Sequence, residues 1–283
     1  MTQNNTKSRR IVLKTIPAVL LVLALGVCFF RVYLLFRQID SITGLYNFGA
    51  EKYRDIFNIL TFSLFAASLL SCFAARRYAY PRPVKNEAIT VAFAATMCGL
   101  MQLTIFVANI YGVVKGTREL DGLLAVESLL CLPSSGYFFY ICSHGAKLDS
   151  ADKPVYNFLP LFPALYVVVR TITLFINTST QINTSQRSFV LLTMICIMMF
   201  FVTEAELATP ALFHRDAAAE QKALNRISAK YYALGLAVAV LCMIVIISYA
   251  LAQAYGFYGK THLLYSVMDI MFGLYAMIRV FTI

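Results

Sequence analysis

The chain has 283 residues, of which 60% are hydrophobic and 13% charged, with a mean hydropathy of +0.71 and a formal net charge of +10. Soluble domains carry about 25% charged residues, so this composition excludes that class. Nucleic-acid binding is excluded as well: the Lys and Arg residues fall in short segments between apolar runs, which fits topology signals and contact with anionic membrane lipids, and they form no basic stripe with interleaved aromatics.

A membrane span needs about 20 mostly apolar residues, and eight segments qualify. The first is Ile11–Phe36. It opens like a signal peptide, with Lys7, Arg9, Arg10 and Lys14 ahead of an apolar run, but the run continues past Phe30 with only Arg31 interrupting. No small-x-small site follows, so it reads as an uncleaved span. Tyr46-Asn47-Phe48-Gly49 then lies in the longest outer loop. The second, third and fourth spans are Asp55–Ala75, Ala88–Val114 and Leu123–Cys142. Pro133 in the fourth is expected to kink it, and the neighbouring Ser134, Ser135 and Gly136 to let another helix approach. The fifth span is Val155–Asn177, bent or opened near Pro160 and Pro163, and the sixth is Ser188–Ala208. The stretch Pro210–Ala229 contains DAAAEQKALNR, rich in helix formers, and reads as a solvated extension of a span. The seventh and eighth spans are Tyr231–Tyr255 and His262–Ile283. The runs are long and continuous, without the alternation of barrel strands, so the expected fold is all-α and polytopic, a single transmembrane domain over 1–283.

Orientation follows from the basic residues between spans. Fourteen lie on the side of the N-terminus and seven on the other. That excess places both termini in the cytoplasm. All seven cysteines lie within apolar runs and none forms a CxxC pair, so neither disulfides nor a metal site is expected, and no cofactor.

A faint internal repeat pairs the halves 1–150 and 151–283. Arg31 and Arg170 each open an R-x-x-x-L-F sequence. Phe57-x-x-Leu60-Thr61 is echoed by Phe189-x-x-Leu192-Thr193, Tyr111-Gly112 by Tyr255-Gly256, and Leu123-Leu124 by Leu263-Leu264, at offsets of 132 to 144 residues. Four-span halves would share one orientation, a parallel repeat; chance matching in an apolar alphabet is the competing reading.

A charge within a span costs about 2.5–3.5 kcal/mol on insertion scales and therefore faces protein or water. Arg31, Glu127, Arg170 and Asp269 are such charges, each in the outer half of its span. The functional reading is an outward-facing polar pocket. There the arginines grip an anionic solute and the acids handle a proton or cation, with Asn109 and Gln102 adding hydrogen bonds and Asn177 at the mouth. The structural reading is two interhelical ion pairs. Glu204, Glu206 and Arg279 near inner span ends read as an exposed salt bridge that contributes little. His144, His214 and His262 sit at span ends and need no role. There is no HExxH, GxSxG or P-loop sequence.

The stretch Phe158 to Val202, chiefly FPALYVVVRTITLFINTSTQINTSQRSFVLLTMICIMMFF, resembles a group of bacterial multi-spanning membrane proteins that pair an Arg-bearing span with a polar outer turn and a further apolar span. The resemblance covers about one sixth of the chain. The group carries no assigned activity, so the resemblance implies a place, the bacterial cytoplasmic membrane, and not a reaction. Three readings follow. One is a transporter or binding protein for a small solute or ion, using Arg31, Glu127, Arg170, Asp269 and Asn109. Another is a scaffold, sensor or accessory subunit with structural ion pairs and a protein partner at the cytoplasmic 210–230 segment. The third, a membrane enzyme, lacks a recognisable nucleophile or metal cluster.

Overall fold

The computed structural model describes residues 2–39, 46–77, 87–119, 121–144, 158–177, 184–208, 217–256 and 263–282. These residues are almost entirely helical. In chain order the helices are α1 (Thr2–Arg37), α2 (Glu51–Arg77), α3 (Glu87–Val114), α4 (Gly122–His144), α5 (Leu161–Asn177), α6 (Thr184–Ala208), α7 (Ala217–Leu241), a five-residue π-helical turn (Cys242–Ile246), α8 (Ile247–Ala254) and α9 (Leu263–Phe281). α7, the π turn and α8 run on as one rod. Among the described residues, seven helical stretches are long and apolar enough to cross a membrane. The fifth expected span is shorter: α5 has 17 residues, about 25 Å of helix, against a hydrocarbon core of about 30 Å. α4 continues as helix through Pro133, and Pro163 falls in the first turn of α5, where a missing N–H is tolerated. The helix expected in the 210–229 stretch begins at Ala217 and joins α7 without a break; 210–216, His214 and His262 lie outside the described residues, as do the side chains of His144 and Asn177.

The chain packs around the α7 rod and α9. α7 borders α2, α6 and α9; α3 lies between α4 and α9; α5 bridges α4 and α6; α1 runs along α2 and the π turn. This arrangement lends the internal repeat no support. α2 packs extensively on α7, but the pair that the repeat would make equivalent, α6 with α3, shares no comparable contact among the described residues.

Composition explains which helices are central. From Tyr231 to Ile246 nearly every α7 side chain is buried, and most are Ala, Val, Leu or Ile. An all-round apolar helix belongs in an interior. By contrast α1 and α2 turn Val22, Phe29, Ile59, Leu70 and Phe73 outward. Exposed apolar side chains in such numbers suit a lipid environment and not water.

Glycine sets how closely α9 meets the rod. A methyl group built on Gly273 would lie 2.5 Å from the Cβ of Cys242, and one on Gly235 would lie 2.7 Å from Val280 Cγ2. Both contacts repeat after seven residues, two helical turns on one face, so the two backbones touch along a seam that only small residues permit. Gly273→Ala is expected to destabilise the protein by about 1–3 kcal/mol through overpacking. Gly136→Ala, at a helical position where an added methyl meets nothing within 4 Å, is expected to be neutral or slightly stabilising. Thermal unfolding of the purified variants in one detergent compares them directly.

Candidate functional site

Four helices and one loop contribute polar groups to a single buried cluster. On α3, Cys98, Gln102, Ile105 and Asn109 recur at intervals of four and three residues and are all buried, so they share the inward face. Glu127 and Cys131 do the same on α4, Tyr166 and Arg170 on α5, and Tyr265 and Asp269 on α9.

The ion pair is the cluster's strongest contact. Arg170 Nη2 donates to Asp269 Oδ2 at 2.8 Å, with both side chains shielded from solvent. The same guanidinium lies over the Tyr265 ring, 4.4 Å from its centroid, a cation–π contact strengthened by desolvation. The Tyr265 hydroxyl donates to Asn109 Oδ1 at 2.9 Å, and Asn109 Nδ2 donates to Ser128 Oγ at 3.0 Å. From the loop after α3, Arg118 Nη1 donates to Asn109 Oδ1 at 2.6 Å and to the Tyr265 hydroxyl at 3.2 Å. The Glu127 carboxylate stands within electrostatic reach of Tyr265, Arg170 and Arg118.

Hydrogen-bonding capacity in this cluster exceeds what the protein uses. Glu127 Oε1, Asp269 Oδ1, Arg170 Nε, the Tyr166 hydroxyl and both amide atoms of Gln102 are buried without a partner. Unmade bonds of this kind cost about 1–3 kcal/mol each, and more for charged groups.

Of the charges singled out in the sequence, Glu127, Arg170 and Asp269 therefore meet, and Asn109 joins them. Arg31 sits elsewhere. It is buried on α1, donates from Nη1 to the Tyr46 hydroxyl, and lies over the Phe57 ring at 4.7 Å. It ties α1 to the loop that precedes α2 and to α2 itself. Arg118, Tyr265, Ser128 and Tyr166 were not anticipated. Tyr265 precedes Asp269 by one helical turn, a spacing that could have signalled it. Arg118 counted only as a loop charge, because nothing local reveals that the chain folds it back over α3.

The expectation of an exposed salt bridge at the inner end needs correction. Glu206 does form a half-exposed pair with Lys230 at 3.1 Å, but Glu204 and Arg279 are buried. Glu204 Oε1 accepts from Arg279 Nη2 at 2.7 Å and Nε at 3.0 Å, from the Tyr275 hydroxyl at 2.9 Å and from the Tyr231 hydroxyl at 3.1 Å. Glu204 Oε2 has no partner. The pair is buried because Tyr231 on α7 and Tyr275 on α9 close over it, with Phe200 stacked on Tyr231 at 4.7 Å. Asp269 and Arg279 are ten residues apart on α9, about 15 Å. Between them Phe138, Phe201 and Phe272 touch ring to ring at 5.3 to 5.9 Å, an apolar layer separating the two clusters.

Comparisons with protein-family models, with curated proteins and with solved structures find no match to this chain.

Breaking a buried ion pair strands a charge and typically costs about 3–5 kcal/mol, whereas replacing both partners with apolar groups costs far less. Arg279→Met is thus expected to lower the thermal midpoint strongly, and Glu204→Leu with Arg279→Met to recover most of the loss. An Arg279→Met protein as stable as the parent would refute a stabilising role for the inner pair.

Proposed function

We propose that the chain is a multi-pass membrane protein, with the shorter α5 as an eighth crossing and both termini cytoplasmic, that binds a small polar solute or ion at the cluster of Asn109, Glu127, Arg170, Tyr265 and Asp269. The seven long apolar helices and their outward-facing Val, Leu, Ile and Phe support the membrane setting. The twofold excess of Lys and Arg on the side of the N-terminus supports the orientation. It puts the cluster in the outer half of the bilayer.

One observation carries the binding reading: the surplus of buried, partnerless polar atoms on Glu127, Arg170, Asp269 and Gln102. A purely structural ion pair in a low-dielectric interior is stable when its lone pairs and protons are satisfied. Here two carboxylate oxygens, a guanidinium nitrogen and a whole amide stand ready for a ligand. Ionisable groups at membrane depth mark solute and ion pathways for the same reason. The conformation is closed, since Glu127, Arg170 and Asp269 are all shielded. Solute entry therefore requires an opening motion.

The scaffold reading has its own observation, the inner cluster, where four hydrogen bonds on Glu204 Oε1 fasten α6, α7 and α9 without such a surplus of donors and acceptors. The two readings part on solvent access to the outer cluster. In a background with every cysteine replaced, Glu127→Cys, Arg170→Cys and the near-isosteric Ser128→Cys are exposed to a membrane-impermeant maleimide from outside intact cells. Labelling at all three is expected. A folded protein that labels at none of them leaves the charges as packing devices and sinks the solute site.

A further inference from the structure

We propose that Arg118 is a tethered cation that closes the outer cluster, and that a small organic cation bearing an ammonium or guanidinium group occupies the cluster when Arg118 turns out to solvent. The proposal rests on the reading of that cluster as a ligand site and names its occupant and its lid.

Local geometry puts Arg118 there. α3 ends in a Schellman motif. Gly116 takes φ +67°, its N–H bonds to the Val113 carbonyl, and the Thr117 N–H bonds to the Gly112 carbonyl at 2.9 Å. The chain thereby doubles back, and the Arg118 stem lies on the bare backbone of Gly112. A methyl group at Gly112 would come within 3.1 Å of Arg118 Cδ. Arg118 is only partly buried, whereas Asn109, Glu127, Arg170, Tyr265 and Asp269 are all enclosed.

Arg118 is also the charge best able to leave. Its two hydrogen bonds go to neutral oxygens, on Asn109 and Tyr265. Charge-assisted bonds between two ions are stronger, and Arg170 has one. Formal charge then decides what replaces Arg118. Arg118 and Arg170 balance Glu127 and Asp269. With Arg118 in solvent, the enclosed set carries one net negative charge, which a low-dielectric site compensates with a proton or an entering cation.

The leftover atoms favour a cation with several N–H groups. Glu127 Oε1, Asp269 Oδ1 and Gln102 Oε1 can accept, against two unpartnered nitrogens on Arg170 and Gln102, and the Tyr166 hydroxyl can donate or accept. The Tyr265 ring, 5.6 Å from the Arg118 guanidinium, offers a departing cation's place to another. At the mouth, the exposed Asp121 adds negative potential beside Glu127 while capping α4 through the Leu124 N–H at 2.6 Å.

The test uses the full chain purified in nanodiscs. Thermal unfolding of the parent, Arg118→Ala and Arg118→Gln is followed with methylguanidinium, methylammonium, acetate or phosphate, each against sodium chloride at matched ionic strength. Methylguanidinium is expected to raise the midpoint of both Arg118 variants saturably, by at least about 2 °C. The parent, whose site is occupied by its own arginine, shifts less, and Arg118→Gln with Glu127→Gln does not shift. The glutamine variant keeps the stem and a donor for Asn109, so it remains informative where alanine impairs folding. Stabilisation by acetate or phosphate instead, an equal shift in the parent, or no shift in either folded variant overturns the proposal. If Ser128→Cys labels while no cation stabilises the variants, the solute site survives and only the cation and its lid fall.

Discussion

The contact between α7 and α9 is the constraint on which the rest of the structure depends. A chain whose helices present Val, Leu, Ile and Phe on nearly every side gains little from choosing one apolar partner over another, and in lipid it gains nothing from hiding such surface. Close van der Waals contact is what remains. Gly235 against Val280 and Gly273 against Cys242 provide it, seven residues apart on each helix. The π turn begins at Cys242, where the rod meets Gly273, and the Cys242 thiol donates to the Asp269 carbonyl at 3.5 Å.

From that seam α9 carries both polar clusters. Its inward stripe of Tyr265, Asp269, Phe272, Tyr275 and Arg279 presents a polar pair, an apolar layer and a second polar pair in succession. The inner pair concentrates four donors on one oxygen of Glu204 and fastens three helices. The outer pair draws on α3, α4, α5 and α9 and leaves acceptors and donors over. Both clusters hold buried charges; the inner one leaves Glu204 Oε2 without a partner, and the outer one leaves Glu127 Oε1, Asp269 Oδ1 and Arg170 Nε.

The helical architecture was legible because apolar run length is a one-dimensional property. Expected and observed helices agree for α2 to α4 and α6 within about a turn, α1 begins nine residues before its expected span, and the solvated extension before Tyr231 was read from its helix formers. Run length failed at α5, where the helix begins at Leu161, just after Pro160, and it was silent on the π turn, which no residue type announces. The repeat drew on matches in a restricted alphabet, and the neighbours of α2 and α6 differ. Within the candidate site, Glu127, Arg170 and Asp269 stood out by charge and Asn109 by polarity. Arg31 stood out equally and sits elsewhere, because insertion cost flags a residue without saying which helix it will face.

What the sequence determined by itself was the set of helices long and apolar enough to cross a membrane and the set of costly residues: long apolar runs suit backbone hydrogen bonds made within each segment, and buried ions require partners. Only the tertiary structure decided who the partners are. Arg170 meets Asp269 across 99 residues, and Glu204 meets Arg279 across 75. Arg118 reaches Asn109 because the Gly116 cap reverses the chain over a bare Gly112. Each pairing depends on how helices rotate about their axes and how closely they approach, and those quantities are set by contacts between distant segments, which no local pattern of residues encodes.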